Sequence, residues 1–402
     1  MKHINQFKKI LSHQDTYVYL ISGVLSLQLL DFAYGSIGLM LFSTICLINA
    51  FLHKTTFNKS MILPLVYFLS TAISLLWSFD NETVLINFQK ILPFFFIPFS
   101  FSFIKPLNRK DIEKALKILS RIQALYILLL LMNAILKYSN NADVFFYHEL
   151  SSLFDLNAIY LSSFLLLSYV FLLMRKTKSK LDYCILFLLF ITLILLSSKL
   201  IFAILILVSL TKGLMHFKKP ISKLIFITST VFSVVIIFNN AKISERISEE
   251  LNSNFEEVLT LKKFNNVYLW TGSSIRLFQG RVFLELLQED KKYLFGYGFN
   301  STQERITAKH IQFDLYPGFY KYNFHNQYLQ TTAELGFVGL FVLVAMYISL
   351  FSRTLNSKSI WPLMIGAIFL ILFLTESYLV RQRGIVYFLF YYCLIIKYAH
   401  QR

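Results

Sequence analysis

The chain has 402 residues, of which 56% are hydrophobic and only 15% charged. A water-soluble protein of this length needs far more polar surface to cover its exterior, so the composition excludes that class and points to a membrane protein. The formal net charge of +17 would suit a nucleic-acid binder, but the excess sits in short segments between apolar runs, where it orients a membrane protein.

The start of the chain (Met1, Lys2, His3, then Lys8 and Lys9) lacks a short apolar core followed by a small-residue cleavage site, which predicts an uncleaved first helix. Apolar stretches long enough to cross a ~30 Å hydrocarbon core follow near 16–30, 34–52, 61–79, 84–104, 118–136, 156–174, 181–198, 200–215, 221–239, 327–350, 360–377 and 383–397. They predict an all-α polytopic protein of about twelve transmembrane helices. Helices 1–9 fall within residues 1–239, one large loop covers 240–326, and helices 10–12 fall within 327–402. Residues 181–215 form one apolar block that as a single helix would be ~52 Å long, too long for one crossing. Both of its flanks are basic, Arg175 to Lys180 before and Lys212 to Lys223 after, so the block predicts a hairpin turning at Lys199. The same length argument divides 16–52 near Asp31. Cys46, Cys184 and Cys393 all lie in apolar spans and read as packing residues.

Lysine and arginine counts give the orientation. Segments assigned to the inside carry 22 of them and short segments assigned to the outside carry 4. That asymmetry predicts both termini in the cytoplasm and loop 240–326 outside. In the fourth span, Asn87 and Lys90 lie near the outer face, either lining a path for a lipid or, for Lys90, snorkelling to the interface.

The loop has three parts. From Lys242 to Phe264 it is acidic (Glu245, Glu249, Glu250, Glu256, Glu257) and reads as a solvated amphipathic spacer helix. Next, Gly272 to Leu287 predicts a helix capped by Ser273 or Ser274 and ending before Gly296-Tyr297-Gly298. Arg276 and Arg281 stand ~140° apart around that helix, so one can bind substrate while the other fastens the loop. Finally, His325 and Asn326 open the next apolar span. A helix N-terminus there favours the neutral, proton-accepting imidazole, suited to a general base, although an interfacial histidine also occurs for its amphipathic ring alone. Glu334 lies ~13 Å deeper, where a carboxylate calls for a partner; Gln330, Arg381 and Arg383 are the candidates.

At these residues the sequence resembles the O-antigen ligase and O-antigen polymerase superfamily of bacterial envelope enzymes. The likeness is carried by "SSIRLFQGRVFLELL…LFGYGFN", "FHNQYLQTTAELGFVGL", a late "TESYLVRQRGIVYF" and "SSKL" in an outward hairpin, that is by 197–202 and 272–392. It implies a lipid-carrier glycosyltransferase (GT-C-like) architecture. It also implies an enzyme that moves a glycan en bloc from undecaprenyl diphosphate to an acceptor hydroxyl, on lipid A-core for a ligase or on another repeat unit for a polymerase. By that pattern His325 is the base, while Arg276, Arg281 and Lys199 bind the diphosphate, and Asn326, Glu334 and Arg381 support the site. Lys199 stands where the family often has arginine and offers a point charge without a bidentate fork. The sequence has no Asp-x-Asp and no histidine–carboxylate group with metal-ligand spacing, so the reading is cofactor-free and metal-independent, with membrane lipids and lipid-linked sugars as partners and no nucleic acid. The competing class, a transporter or flippase of lipid-linked sugars, commonly shows internal repeats and broken helices, and the sequence displays neither.

Overall fold

A computed structural model describes residues 13–78, 81–104, 107–139, 142–224, 227–228, 248–250, 252–265, 267–355, 357 and 359–399. All regular elements among them are helical. The first two helices, α1 (Gln14–Leu27) and α2 (Phe32–His53), are separated at Asp31, as the length argument expects. They are followed by α3 (Ile62–Ser74), α4 (Asn81–Phe88), α5 (Pro93–Phe103) and α6 (Arg109–Lys137). A short α7 (Tyr147–Ser151) precedes α8 (Ala158–Met174).

The apolar block at 181–215 divides into α9 (Lys180–Leu195) and α10 (Lys199–His216). Between them Ser197 takes a left-handed φ of 48°, and Lys199 opens the second helix. Among the described residues, six stretches are long and apolar enough to cross a membrane: Phe32–His53, Lys59–Trp77, Thr83–Phe103, Arg109–Lys137, Lys199–His216 and Gln327–Thr354. Tyr147–Phe154 and Ala158–Met174, bent by 86°, make a seventh if taken as one broken span. The chain is therefore a polytopic membrane protein. Other expected spans are shorter: α1 has 14 residues and α9 has 16, so they reach only ~21 to ~24 Å. The expected span at 221–239 lies mostly outside the described residues.

The loop carries α11 (Phe255–Thr260), α12 (Gly272–Asp290) and α13 (Gln303–Gln312). They enclose a small apolar core of their own, with Phe264, Phe278, Val282, Ile306 and Phe313 at its centre. The acidic stretch is not one solvated helix over its described part, because α11 is only six residues long. Helix α12 is capped by Thr271, upstream of both expected serines, with Ser274 completing a reciprocal cap.

The last helices are α14 (Gln327–Thr354), α15 (Trp361–Thr375) and α16 (Gln382–Ala399). Every residue of α16 from Gly384 to Tyr398 is buried, the pattern of a helix surrounded on all sides. It packs against α5 and α14, and Tyr387 stacks on Phe164 of α8 with ring centroids 3.6 Å apart.

Helix α14 departs from expectation. It is broken at Gly336 (φ 67°, ψ −168°), whereas the sequence reads as an unbroken span. The break leaves carbonyls and amides without helical partners, and the segment after α12 supplies them. Tyr297 N–H donates to the Ala333 carbonyl (2.8 Å) and Gly298 N–H to that of Glu334 (2.9 Å). In return Phe337 N–H donates to the Tyr293 carbonyl (2.8 Å) and Val338 N–H to that of Leu294 (3.3 Å). Irregular backbone at membrane depth is tolerated only when its polar groups are satisfied by protein in this way. Glycine is required on both sides of the crossing. A Cβ on Gly296 would lie 2.5 Å from the Ala333 carbonyl oxygen, and one on Gly336 would lie 2.1 Å from that of Leu294.

Candidate active site

The site is assembled where α10, α12, α14 and the end of α15 meet. Asn326 caps α14, its side chain accepting from the Tyr328 and Leu329 amides (2.9 and 3.1 Å) while donating to the Leu374 carbonyl (3.1 Å). This ties the start of α14 to the end of α15. His325, just before the cap, has a left-handed φ of 47°, and its amide donates to the Asn323 side chain (2.9 Å). The backbone therefore turns the imidazole toward Glu376, the residue after α15, with Nδ1 3.5 Å from Oε2. The sequence reading considered only the helix N-terminus beside the ring; in the structure a carboxylate faces it directly. Nδ1 is buried, while the side chain as a whole keeps 26% of its accessible surface. With Nδ1 turned to a carboxylate, Nε2 is the nitrogen left to accept a proton.

Arg276 approaches the same carboxylate from α12. Its Nη2 donates to Glu376 Oε1 (2.6 Å), its Nε to the Thr375 carbonyl (2.7 Å) and its Nη1 to the Gly272 carbonyl (2.7 Å). A guanidinium carries more donors than these three contacts use, so Arg276 is fixed in direction yet still able to bind. The Glu376 carboxylate is thus hydrogen-bonded by Arg276 on one oxygen and faced by His325 on the other. Glu376 was missed in the sequence although it stands in the quoted "TESYLV" segment. The available signal was an acidic residue closing an apolar helix, a position that demands a partner.

Lys199 reaches the other end of the cluster. Its Nζ lies 2.8 Å from Glu250 Oε1, and the Glu250 carboxylate also accepts from the amides of Gly272 (3.0 Å) and Ser273 (3.1 Å) at the start of α12. Lys199, Arg276 and His325, distant in sequence, thus lie along one chain of contacts bridged by Glu250 and Glu376. Glu250, read from the sequence as part of a solvated spacer, is a member of the cluster.

Arg281 lies elsewhere. Its Nε donates to Glu285 Oε1 (3.0 Å), its Nη1 to the carbonyls of Val258 (3.0 Å) and Leu261 (2.8 Å), and its guanidinium stacks over Phe313 at 4.4 Å. The ~140° separation sends the two arginines to different tasks: Arg281 fastens α11 to α12. We expect Arg281→Ala to lower stability by about 1–3 kcal/mol, since the Val258 and Leu261 carbonyls, Glu285 and the Phe313 ring lose their partner. The contacts of Arg276 are untouched by this change; thermal melting in detergent checks the expected loss.

Glu334 accepts a hydrogen bond from Gln330 Nε2 (2.7 Å), so Gln330, rather than Arg381 or Arg383, is its side-chain partner. Arg383 instead donates to the Leu30 carbonyl (2.5 Å) in the turn between α1 and α2. Arg381 is exposed, next to Val380, which borders a cavity. That cavity is lined by Asn87, Lys90, Asn300, Gln327 and Glu334 among others, and the Lys90 ammonium donates to Asn87 Oδ1. Lys90 is therefore a cavity residue rather than a side chain snorkelling alone. In the loop core His310, which no sequence pattern singled out, is buried beside Gln279 (Nε2 to Nε2, 2.8 Å). Burial lowers its pKa to about 4, keeping it neutral. It is a packing residue of α13, away from the cluster above.

No curated protein matches the chain. Residues 184–344 match the family model for O-antigen ligase, a stretch that contains Lys199, Arg276, Arg281, His325, Asn326 and Glu334. That match, set in a membrane-spanning helical body, makes this part of the chain similar to the O-antigen ligase family.

Proposed function

We propose that the protein transfers a preassembled glycan from undecaprenyl diphosphate to an acceptor sugar hydroxyl on lipid A-core, at the periplasmic face of the inner membrane. The family match supports enzymes of the ligase and polymerase type. The observation that carries the reading to this chemistry is the convergence of His325, Arg276 and Lys199 through Glu376 and Glu250. In the proposed step, His325 Nε2 removes the proton from the acceptor hydroxyl as its oxygen forms a bond to the donor's anomeric carbon. The bond from that carbon to the phosphate oxygen breaks, and undecaprenyl diphosphate leaves with the electron pair. Glu376 stabilises the imidazolium that forms, as the carboxylate of a catalytic triad does. Arg276 and Lys199 stabilise the charge that grows on the diphosphate, which fixed cations do well beside a low-dielectric membrane. These roles need no metal.

The same reading places both termini in the cytoplasm and completes about twelve spans in a GT-C-like architecture, with Asn326 and Gln330 holding the start of α14 and Arg381 beside the cavity. That cavity, with Asn87, Lys90 and Glu334 on its wall, is a candidate path for the lipid carrier. A polymerase would use the same groups on a repeat-unit acceptor. The broken α14 and the cavity also favour a transporter or flippase of lipid-linked sugars, since such proteins bind substrate at helix breaks. Here the exposed backbone of the break is engaged by residues 293–298 of the chain itself, which favours the enzyme.

Deletion of the gene followed by analysis of envelope glycans tests the assignment. Accumulation of long chains on the lipid carrier is the expected result for a ligase. Single repeat units would replace the ligase with a polymerase, and failure of donor to reach the periplasmic leaflet would replace both with a flippase.

A further inference from the structure

The carboxylate of Glu250 is surrounded in a manner unusual for a surface ion pair. Lys199 Nζ and the Gly272 amide both donate to Oε1, at 2.8 and 3.0 Å, and the Ser273 amide donates to Oε2 at 3.1 Å. The two amides begin α12, a helix of 19 residues with no acidic residue in its own first turn. The anion at this N-terminus is therefore brought from another part of the chain. Arg276 flanks the same spot: a Cβ on Gly272 would meet Glu250 Oε1 at 3.0 Å and Arg276 Nη1 at 3.2 Å. An ammonium, two backbone amides at a helix start and a neighbouring guanidinium are what a phosphate group requires, and a carboxylate here takes their hydrogen bonds.

A phosphate held by Lys199 and these two amides would compete with this carboxylate for the same donors. Glu376 is held by Arg276 and faces His325, whereas Glu250 lies outside the helices that it binds. Resting on the donor assigned above, we infer that Lys199 with the Gly272 and Ser273 amides forms a phosphate subsite. The Glu250 side chain is its internal placeholder anion, displaced when the diphosphate enters. Partial burial pushes the Glu250 carboxyl up, but the hydrogen bonds from Lys199 and Ser273 outweigh it and bring its pKa to about 2. Protonation therefore does not vacate the subsite at physiological pH; competition does. A ligand that must displace an occupant binds weaker by the fraction of time the site is open, so Glu250 sets the donor affinity.

The test is binding of inorganic pyrophosphate to the detergent-purified full chain, measured by calorimetry, which needs no glycan transfer. Glu250→Gln, isosteric and uncharged, should bind pyrophosphate about tenfold or more tightly than wild type, and adding Lys199→Gln should cancel the gain. Equal or weaker binding by a folded Glu250→Gln protein overturns the placeholder while leaving the diphosphate assignment standing. Should that variant fail to fold, Glu250→Asp, whose shorter side chain retracts the charge, should still bind more tightly than wild type, and unchanged affinity overturns the proposal. If neither wild type nor variant binds pyrophosphate, the diphosphate assignment falls and the placeholder with it.

Discussion

Replacing His325 by alanine is expected to lower glycan transfer at least ~100-fold, and Arg276→Ala should do the same, while the amount of protein in the membrane stays unchanged. The first figure follows from the loss of a positioned general base, the second from the loss of a cation aimed at the leaving group. The two losses should differ in kind. His325→Ala removes the proton acceptor but leaves Glu376 paired with Arg276 (2.6 Å). Arg276→Ala removes the donor to Glu376 and also the contacts to the Thr375 and Gly272 carbonyls, so the link between α12 and the end of α15 loosens as well. Arg276→Lys keeps a charge but loses the planar fork that makes these contacts together, and should recover only a small part of the activity. Transfer retained in both alanine variants, measured with membrane abundance controlled, would remove the site from consideration.

The second large effect concerns the break in α14. Gly336→Ala is expected to cost at least ~3 kcal/mol and to remove most of the monodisperse protein extractable in detergent. The new methyl group would sit 2.1 Å from the Leu294 carbonyl oxygen and 2.4 Å from the Phe295 amide nitrogen. Both are backbone atoms, so no side-chain rotation relieves the overlap. The conformation there, φ 67° and ψ −168°, is itself one that essentially only glycine adopts. Relief requires the loop to lift from α14, which breaks the hydrogen bonds from Phe337 and Val338 to Tyr293 and Leu294. Gly296→Ala should behave similarly for the reciprocal reason. Gly23→Ala is the control, because a Cβ there meets nothing within 4 Å and its helical position favours alanine. Normal yield and melting of Gly336→Ala would show that the crossing is not what holds loop and membrane helix together. The same crossing sits between His325 and the rest of α14, so a folded Gly336→Ala protein should still transfer poorly.

The sequence made the class of protein legible because the hydrocarbon core imposes a length and a polarity on each crossing, and both are local properties. The divisions at Asp31 and before Lys199 follow from length alone, and the structure places helix boundaries there. The candidates Lys199 and His325 were likewise visible at the ends of apolar runs, and Arg276 as a cation in the central helix of the loop. Several things were hidden. Whether Arg276 or Arg281 serves the cluster depends on which neighbour each meets around α12, and only the packed loop supplies Glu376 to one and Phe313 to the other. Gly296 reads as a turn residue and Gly336 as part of an unbroken span; that their segments meet depends on the two crossing at backbone distance.

By itself, the sequence determined that this chain lives in a membrane, roughly where it turns, and which residues carry charge at those turns. Periodicity and hydropathy act over one helix at a time. Only the tertiary structure decided which charges neutralise one another. An ion pair such as Arg276–Glu376 spans a hundred positions, and electrostatic pairing depends on distance in space, to which distance along the chain is no guide.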